Sequence, residues 1–206
     1  MDLMKIFDDI NTHLLNDEKP SDFLNEISDN PLFLQSPFSM LAKLKKTEQS
    51  SVHHPEGNVW NHTMLVIDEA AKQKTKSKNA AVFMWAALLH DIGKPLTTRV
   101  RKGKIISYDH DKIGARLSKD FLLSFIDHTA VNDTLIDEVS NLTRYHMQFL
   151  FVINDLPFAD ILGMKRNTDI EEVALLGLCD RLGRTNVDRI KEEVNIGLFL
   201  KKCREK

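Results

Sequence analysis

Hydrophobic residues recur at helical spacing along most of the chain. Apolar side chains three and four positions apart form one face of a helix, while polar side chains occupy the other face. This spacing predicts helices over residues 4–15, 20–29, 37–46, 59–73, 79–91, 109–126, 133–147, 156–164, 169–184 and 188–203. We therefore predict an all-α fold, with an N-terminal helical extension over residues 1–50 and a larger helical domain over residues 51–206.

One segment departs from the helical spacing. The sequence TTRVRKGKIISY contains two short β-prone runs on either side of Lys102 and Gly103. A Lys-Gly pair between two such runs is typical of a tight turn. The segment predicts a small β-hairpin inserted into the helical bundle.

Composition and charge narrow the classes of function. The 206 residues are 42% hydrophobic and carry a formal net charge of -2. A substantial core is expected, but no overall positive field that would favour general binding to nucleic acid or membranes. Cys179 and Cys203 lack the spacing of a thiolate zinc site or a redox motif, so both are expected to be reduced. An acidic N-terminal segment and the lack of a long apolar run predict a cytoplasmic protein without membrane contact.

Five predicted helices each carry one ionisable residue on an apolar face. These residues are His62, His90, His110, His146 and Asp180. A single buried histidine is usually a hydrogen-bonded core residue, but burying several ionisable groups without partners costs on the order of a few kcal/mol each. A divalent metal offsets that cost because it binds neutral imidazoles and carboxylates directly. The pattern therefore favours a metal site.

The stretch VFMWAALLHDIGKP places His90 and Asp91 side by side at the end of a helix. Within a continuing helix, adjacent side chains diverge by about 100 degrees. We expect the helix to end here, with Gly93 in a left-handed conformation and Pro95 preventing continuation, so that both side chains turn inward. Lys94 would reach the rim of the site and hold a substrate phosphate, or would merely favour a helix C-terminus.

At these residues the chain resembles the HD-domain metal-dependent phosphohydrolases. It looks closest to the HD domain attached to bacterial CCA-adding tRNA nucleotidyltransferases. The similar segments are HHPEGNVWNHTMLVID, AALLHDIGKP, YDHDKIGAR, RYHM and CDRLGR, within about residues 20–185. HPEGNVW followed by His62 is much more specific than the His-Asp pair. The resemblance implies an HD-domain helical bundle.

The resemblance also implies the ligands of one or two divalent ions. The residues that match ligands of the first ion are His62, His90, Asp91 and Asp180. His110 and His146 match residues that complete a second metal position, with Asp91 bridging the ions. A donor set of histidine and carboxylate without cysteine suits Mn, Fe, Co, Ni or Zn. Arg184 matches an arginine of the subgroup whose role is unassigned, and a salt-bridging surface arginine is an equal alternative.

Several related activities do not fit the sequence. A nucleotidyltransferase needs a Gly-Gly-rich strand-turn motif and paired aspartates on a sheet, which this helical sequence does not contain. The Gly-Tyr-Pro signature of HD-GYP cyclic-di-GMP phosphodiesterases is absent. The segment HDIGKP also differs from the His-Asp-x-x-Glu-Asp form that is typical of ppGpp hydrolases.

The leading hypothesis is a divalent-metal-dependent phosphohydrolase that acts on a phosphomonoester or a 2',3'-cyclic phosphodiester of a nucleotide or RNA end. The candidate catalytic residues are Asp91, Lys94, His110 and His146. Either of these histidines, if it does not bind a second metal, could protonate the leaving alkoxide. The alternatives are an RNA- or nucleotide-binding regulatory module with a mainly structural metal, and a structural helical domain that has kept the ligands.

Two further expectations concern surfaces and partners. The basic hairpin residues, which could contact an RNA backbone or serve only as solubilising surface charge, are Arg99, Arg101, Lys102 and Lys104. The apolar faces of the N-terminal helices are expected to cover the domain rather than form a dimer. The protein itself is expected to be a monomer or a dimer. The histidines expected to face solvent are His13, His53, His54 and His128.

Overall fold

Helices dominate the computed structural model of the protein, which describes residues 2–206. In chain order they are α1 (Leu3–Asn16), α2 (Pro20–Ile27), α3 (Ser39–Ala42), α4 (Val59–Gln73), α5 (Ala80–Leu89), α6 (Lys94–Thr97), α7 (His110–Leu123), α8 (Asp133–Tyr145), α9 (Gln148–Ile153), α10 (Ile161–Asn167), α11 (Ile170–Leu182) and α12 (Arg189–Arg204). Short 3-10 helices cover Pro31–Leu34, Lys43–Lys46 and Lys74–Lys76. The all-α prediction is confirmed.

The predicted hairpin is present. Strand β1 (Arg99–Arg101) pairs antiparallel with β2 (Lys104–Ile106), and Val100 lies opposite Ile105. Gly103 has a φ of 73°, a conformation that glycine adopts without the steric penalty of a side chain. The Lys-Gly pair that predicted a tight turn therefore forms the turn that is observed.

Side-chain caps explain why the long helices begin where the sequence pattern placed them. Asn58, Asn79, Asn132 and Asp169 precede α4, α5, α8 and α11, and each side-chain oxygen accepts a backbone N–H of the first turn. Such caps satisfy donors that have no partner within the helix.

Several helical segments differ from the prediction. The segment predicted as one helix over 37–46 divides into α3 and a 3-10 turn, and the helix predicted over 156–164 begins only at Ile161, after the capping residue Asp160. Helices α6 and α9 were not predicted. Each spans fewer than two turns, which is too short for a hydrophobic period to be recognised. Helix α9 is stabilised by tertiary packing, since Phe149 and Val152 are buried.

The N-terminal helices belong to the same hydrophobic core as the rest of the chain. Phe7 of α1 is fully buried, and its ring stacks on Trp85 of α5 at 4.8 Å and on Phe125 at 4.3 Å between centroids. The apolar face of α1 therefore covers the bundle, as expected from the sequence. The division into 1–50 and 51–206 remains a prediction.

Helix α5 is the central helix of the bundle, and its residues from Val82 to Leu89 are all buried. It contacts α1, α4, α8 and α11, while α7 packs along α8. The ends of these helices bring the ionisable residues of the sequence pattern together. Among residues 2–206, no helix is both long and apolar enough to cross a membrane.

Candidate metal centre

The ionisable residues predicted to point inward converge in the folded chain. Those that the sequence nominated as ligands, His62, His90, Asp91, His110, His146 and Asp180, are all buried. They form two groups whose ligand atoms lie within 4.8 Å of one another: one of His62, His90 and Asp180, the other of Asp91, His110 and His146. Each group could hold a metal ion.

Asp91 lies between the two groups and directs one carboxylate oxygen toward each. Its Oδ2 is 3.2 Å from His90 Nε2 and 3.8 Å from His62 Nε2. Its Oδ1 is 3.4 Å from His110 Nε2 and 3.9 Å from His146 Nε2. This arrangement is the one expected of a carboxylate that bridges two positions.

One further short distance lies within each group. His62 Nε2 lies 3.0 Å from Asp180 Oδ1, and the Nε2 atoms of His110 and His146 are 3.2 Å apart. Two nitrogen lone pairs at this separation repel, and a cation between the two atoms would remove that repulsion.

Three of the histidines have their ring orientation set by the backbone. The Nδ1 atoms of His90, His110 and His146 lie 2.8, 2.6 and 2.7 Å from the carbonyl oxygens of Ala87, Ser107 and Thr143, each three residues earlier. A carbonyl only accepts hydrogen bonds, so Nδ1 must carry the proton and Nε2 keeps its lone pair. The lone pairs of all three Nε2 atoms therefore point into the two groups of potential ligands.

His62 has a different partner. Its Nδ1 lies 2.9 Å from Glu56 Oε1, and the same oxygen is 2.8 Å from Nδ1 of His54. Glu56 and His54, which the sequence analysis did not nominate, form with His62 a third group of potential ligands. Glu56 lies in the motif HHPEGNVW, but nothing in the spacing of that motif indicated a role for the glutamate.

Two of the four expectations about solvent-facing histidines were wrong. His53 is exposed and His13 is partly exposed, but the side chains of His54 and His128 are largely buried. His54 packs edge-on against His62, and His128 packs edge-on against Phe7. Their positions in loops concealed contacts that only the tertiary structure creates.

The donor set and one unpaired atom fit a divalent metal. His90 Nε2 is buried and makes no hydrogen bond. A buried polar atom without a partner is costly, and a metal ion would supply that partner. Imidazole nitrogen and carboxylate oxygen without thiolate suit Mn, Fe, Co, Ni and Zn.

The helix carrying His90 ends as predicted but for a different reason. Helix α5 stops at Leu89, and Gly93 has a φ of -78°, so the expected left-handed conformation is wrong. A Cβ atom on Gly93 would lie 2.1 Å from the carbonyl oxygen of His110. Glycine is required here for close approach of α7. Pro95 lies in the first turn of α6, so it begins a helix rather than only ending one.

Lys94 lies deeper than the rim position expected of it. Its side chain is buried, and its Nζ lies 2.6 Å from both Asp91 Oδ2 and Gln49 Oε1. Lys94 also lines the cleft above the two groups. In this position its ammonium can contact both the bridging carboxylate and an anion in the cleft.

The charges of the site shift the pKa values of its members. Burial alone would raise the pKa of Asp91, but Lys94 and His90 hold it well below its usual range, and Arg184 and His62 do the same for Asp180. Burial, followed by the proximity of His110 and His90, lowers the pKa of His146 to about 4. Burial also lowers the pKa of His110. These two histidines are therefore neutral at pH 7, the form that binds metals.

His62 shows the opposite shift. Burial would lower its pKa, but hydrogen bonds with Asp180 and Glu56 raise it. Two acidic neighbours therefore favour a proton, or another positive charge, at His62.

A cleft of 1180 Å³ opens onto both groups, and its lining includes Asp180 of the first and Asp91, His110 and His146 of the second. The cations that line it are Lys94, Lys112, Arg144, Arg181 and Arg184. Arg184 Nη2 lies 3.4 Å from Asp180 Oδ1, and its Nε is buried without a hydrogen bond. The side chain of Arg184 is thus largely buried beside Asp180. The basic hairpin residues Arg99, Arg101, Lys102 and Lys104 are exposed.

Comparison with known proteins agrees with the family resemblance read from the sequence. The family model described as "HD domain" matches residues 59–185, which include all the nominated ligands. The chain is 32% identical over 111 residues to the "Multifunctional CCA protein" of Actinobacillus pleuropneumoniae serotype 5b, 34% identical over 104 residues to that of Pasteurella multocida, and 30% identical over 105 residues to that of Pseudomonas syringae pv. syringae. These matches cover 53%, 48% and 51% of this chain but only 25%, 24% and 24% of the relatives. About half of this chain therefore matches about a quarter of each of these relatives.

Proposed function

This chain belongs to the HD-domain family, and from that membership we propose that it is a divalent-metal-dependent phosphohydrolase. Its substrate would be a phosphomonoester or a 2',3'-cyclic phosphodiester of a nucleotide or an RNA end. The observation that carries the proposal is a pair of buried ligand groups that share Asp91 at the base of a cleft lined by cations.

The ligand assignment follows from the two groups. His62, His90, Asp91 and Asp180 would hold the first ion, and Asp91, His110 and His146 the second. Such ions lower the pKa of bound water and neutralise charge on a phosphoryl oxygen. The backbone carbonyls behind His90, His110 and His146 hold their rings in the ligand orientation before any ion binds.

The cations of the cleft would bind the substrate phosphate. Lys94 contributes a point charge next to Asp91. Arg184, anchored on Asp180, retains an unpaired Nε donor for a phosphate oxygen. Arg144 donates a hydrogen bond to Asp111 and also lines the cleft, so its guanidinium is positioned before substrate arrives. We assign to these residues the orientation of the phosphate rather than proton transfer.

The shifted pKa values favour a second metal position over a histidine acid. A general acid must be protonated at the working pH, but His146 has a pKa of about 4 and burial also lowers the pKa of His110. At pH 7 both would be neutral and able to donate electron pairs. Of the two roles that the sequence left open for these residues, we therefore propose that of metal ligands.

The walls of the cleft favour a substrate with a planar group. Tyr108 and Phe158 line it and expose 64% and 62% of their surfaces. Phe158 packs on Phe151 with 5.6 Å between ring centroids, and most of its surface remains exposed. Stacking on an aromatic ring is the common way to bind a nucleobase without reading its sequence. A nucleoside phosphate or an RNA end fits both the cations and the aromatic rings.

The loop that carries Phe158 is held in place. Gln148 is buried, its Oε1 accepts the N–H of Asp160 at 2.6 Å, and its Nε2 donates to the carbonyl of Phe158 at 3.4 Å. His146 lies two residues before Gln148, so the metal centre and the aromatic wall are linked through a short segment. The name of the relatives refers to CCA, and we include the 3' end of an RNA among the candidate substrates.

Metal content tests this proposal. The purified protein, a His90→Ala variant and an Asp91→Ala variant would be analysed by elemental mass spectrometry, with His13→Ala as a histidine control outside the site. We expect one or two transition-metal ions per chain in the wild type and the control, and none in the two site variants. Hydrolysis of a nucleoside 2',3'-cyclic phosphate and of a nucleoside monophosphate should be lost with the metal.

A regulatory module that binds RNA is the second candidate, favoured by the exposed basic hairpin. Binding of a short RNA that weakens with salt, survives His90→Ala and Asp91→Ala, and occurs without any hydrolysis would support that module over the enzyme. A protein that binds none of Mn, Fe, Co, Ni and Zn on reconstitution would contradict the hydrolase proposal.

A further inference from the structure

His62 is held differently from the other histidines of the metal centre. His90, His110 and His146 each lie at a helix end, where Nδ1 reaches the carbonyl oxygen three residues earlier. His62 lies within the first half of α4, and the corresponding carbonyl, that of Val59, accepts the hydroxyl of Thr63 at 2.9 Å. The backbone partner used by the other three is therefore already engaged.

Glu56 gives Nδ1 of His62 a nearer partner than the backbone does. Its side chain is 3% exposed, and its Oε1 lies 2.9 Å from His62 Nδ1, nearer than the carbonyl oxygen of Gly183 at 3.3 Å. The same Oε1 lies 2.8 Å from His54 Nδ1. His62 is thus the histidine of the centre whose outer nitrogen faces a carboxylate as its nearest partner.

The loop before α4 fixes the position of this carboxylate. Gly57 has a φ of 104°, Asn58 caps the helix, and Asn61 Nδ2 donates to the carbonyl oxygen of Glu56 at 3.0 Å. The loop is consequently closed onto the first turn of the helix that carries His62. This arrangement accounts for the specific part of the motif HPEGNVW, which the phosphohydrolase mechanism itself does not explain.

We propose that Glu56 is the positioning residue of His62: its carboxylate accepts a hydrogen bond from Nδ1–H, so that the Nε2 lone pair faces the first metal position. The proposal rests on the metal centre of the proposed function. A carboxylate behind a histidine ligand fixes the tautomer, makes the imidazole a stronger donor and increases metal affinity. The first metal position, which contains His62, should then bind more tightly than the second, where the histidines have only carbonyl partners.

A matched pair of glutamate variants tests the proposal on the full chain. Glu69 of α4 is also a largely buried carboxylate engaged by cations, Lys72 and Arg189, but it is not a member of the metal centre. After metal removal, Mn²⁺ would be titrated into the wild type, Glu56→Gln and Glu69→Gln. Loss of a carboxylate partner behind a ligand typically weakens metal affinity about 10- to 100-fold. We expect that loss at the tighter site of Glu56→Gln and no change in Glu69→Gln.

A spectroscopic readout separates positioning from a general structural role. In Zn²⁺-loaded protein with ¹⁵N-labelled histidine, the Nδ1–H proton of His62 should resonate at lower field than those of His90, His110 and His146, because it donates to an anion. Glu56→Gln should move it toward the other three while leaving their signals in place. If Glu56→Gln does not fold, Glu56→Asp keeps the charge but shortens the reach, and an intermediate loss of affinity is expected.

Three results would overturn the proposal. They are unchanged Mn²⁺ affinity in Glu56→Gln, an equal loss in Glu69→Gln, and coordination of Zn²⁺ by His62 through Nδ1. A wild-type protein that binds Mn²⁺ with the expected dependence on Glu56 but hydrolyses no phosphoester would contradict the proposed function alone. A wild-type protein that binds no metal would contradict both.

Discussion

Nζ of Lys94 lies 2.6 Å from Oδ2 of Asp91, and both side chains are buried. The ammonium therefore neutralises part of the charge of the carboxylate that joins the two ligand groups. A divalent ion at the same carboxylate would meet a like charge, whereas a substrate phosphate in the cleft would meet an additional cation. Lys94 should accordingly oppose metal binding slightly and favour phosphate binding strongly.

The substitution Lys94→Met separates these effects, since it keeps the approximate length of the side chain and removes the charge. We expect Mn²⁺ affinity to be unchanged or higher. Inhibition by inorganic phosphate should weaken about 10- to 100-fold, because a hydrogen bond to a charged group contributes about 1.5–3 kcal/mol. A Mn²⁺ titration and a phosphate inhibition curve measure the two quantities. A lower Mn²⁺ affinity in Lys94→Met would show that the ammonium holds the ligands in place instead.

The close approach of α7 to the end of α5 should depend on Gly93. In Gly93→Ala the new Cβ would lie 2.1 Å from the His110 carbonyl oxygen and 2.7 Å from the Gly114 nitrogen, both backbone atoms. We expect a loss of about 1–3 kcal/mol in the free energy of unfolding, as for other overpacked sites, together with weaker metal binding through displaced His110.

The control for Gly93→Ala is Gly197→Ala. Gly197 lies in α12, and a Cβ atom added there would have no neighbouring atom within 4 Å, so alanine is accommodated. Alanine in the helix interior should raise the free energy of unfolding by about 0.5–1 kcal/mol. Urea denaturation measures both variants. Equal stability changes of the same sign would contradict the close-approach explanation.

The stability of the metal-free protein should fall as the pH decreases below 6.5. Burial, with the nearby Lys94 and His62, lowers the pKa of His54 to about 3, and His146 has a pKa of about 4. Between these values and 6.5 the unfolded chain takes up protons that the folded chain does not, so stability is lost as the pH falls through this window. The raised pKa of His62 acts in the opposite direction, because its contribution is present at low pH and is lost as the pH rises through its folded value.

The variant His54→Gln isolates one of these contributions. Its free energy of unfolding should decrease less than that of the wild type between pH 6.5 and pH 4.5, by about 1–3 kcal/mol. The exposed neighbour provides a control, and His53→Gln should keep the pH dependence of the wild type. Urea denaturation at the two pH values gives the differences. Parallel pH profiles for the wild type and His54→Gln would refute the assignment.

The aromatic wall of the cleft should contribute to substrate binding but not to bond cleavage. We expect Phe158→Ala to raise KM for a nucleoside monophosphate about tenfold and leave kcat nearly unchanged, since stacking of one base contributes about 1–3 kcal/mol. Glycerol 2-phosphate, which has no planar group, should show no change in KM. Ile190→Ala removes a similarly exposed apolar side chain from α12 and should affect neither substrate. A fall in kcat for both substrates would instead indicate disturbance of the metal centre.

Much of the centre could be predicted because helical periodicity carries information about burial. A histidine that shares a face with apolar residues three and four positions away must enter the core, and all five residues selected on that basis are buried. The Lys-Gly pair likewise indicated the hairpin, because turn residues act on the adjacent backbone. These inferences depend on interactions within a few residues of the chain.

Other features depend on contacts between distant segments and could not be read in this way. The close approach that requires Gly93, the ion pair that buries Lys94 and the cleft wall formed by α9 and the following loop all depend on how helices pack. Periodicity shows which face is buried but not which atoms meet there. His54 illustrates the difference, since its loop position suggested solvent exposure and its tertiary contacts place it against His62.

The sequence by itself determined the helical class, the inward direction of the ligands and the family resemblance, because each depends on residue type and short spacing. Only the tertiary structure decided that Glu56 lies behind His62 and that Lys94 is buried beside the carboxylate of Asp91. The physical reason is the distance along the chain over which each interaction acts. Helix formation and capping act over a few residues, whereas a metal centre is defined by distances of about 3–4 Å between atoms from separate helices, which packing of the whole core determines.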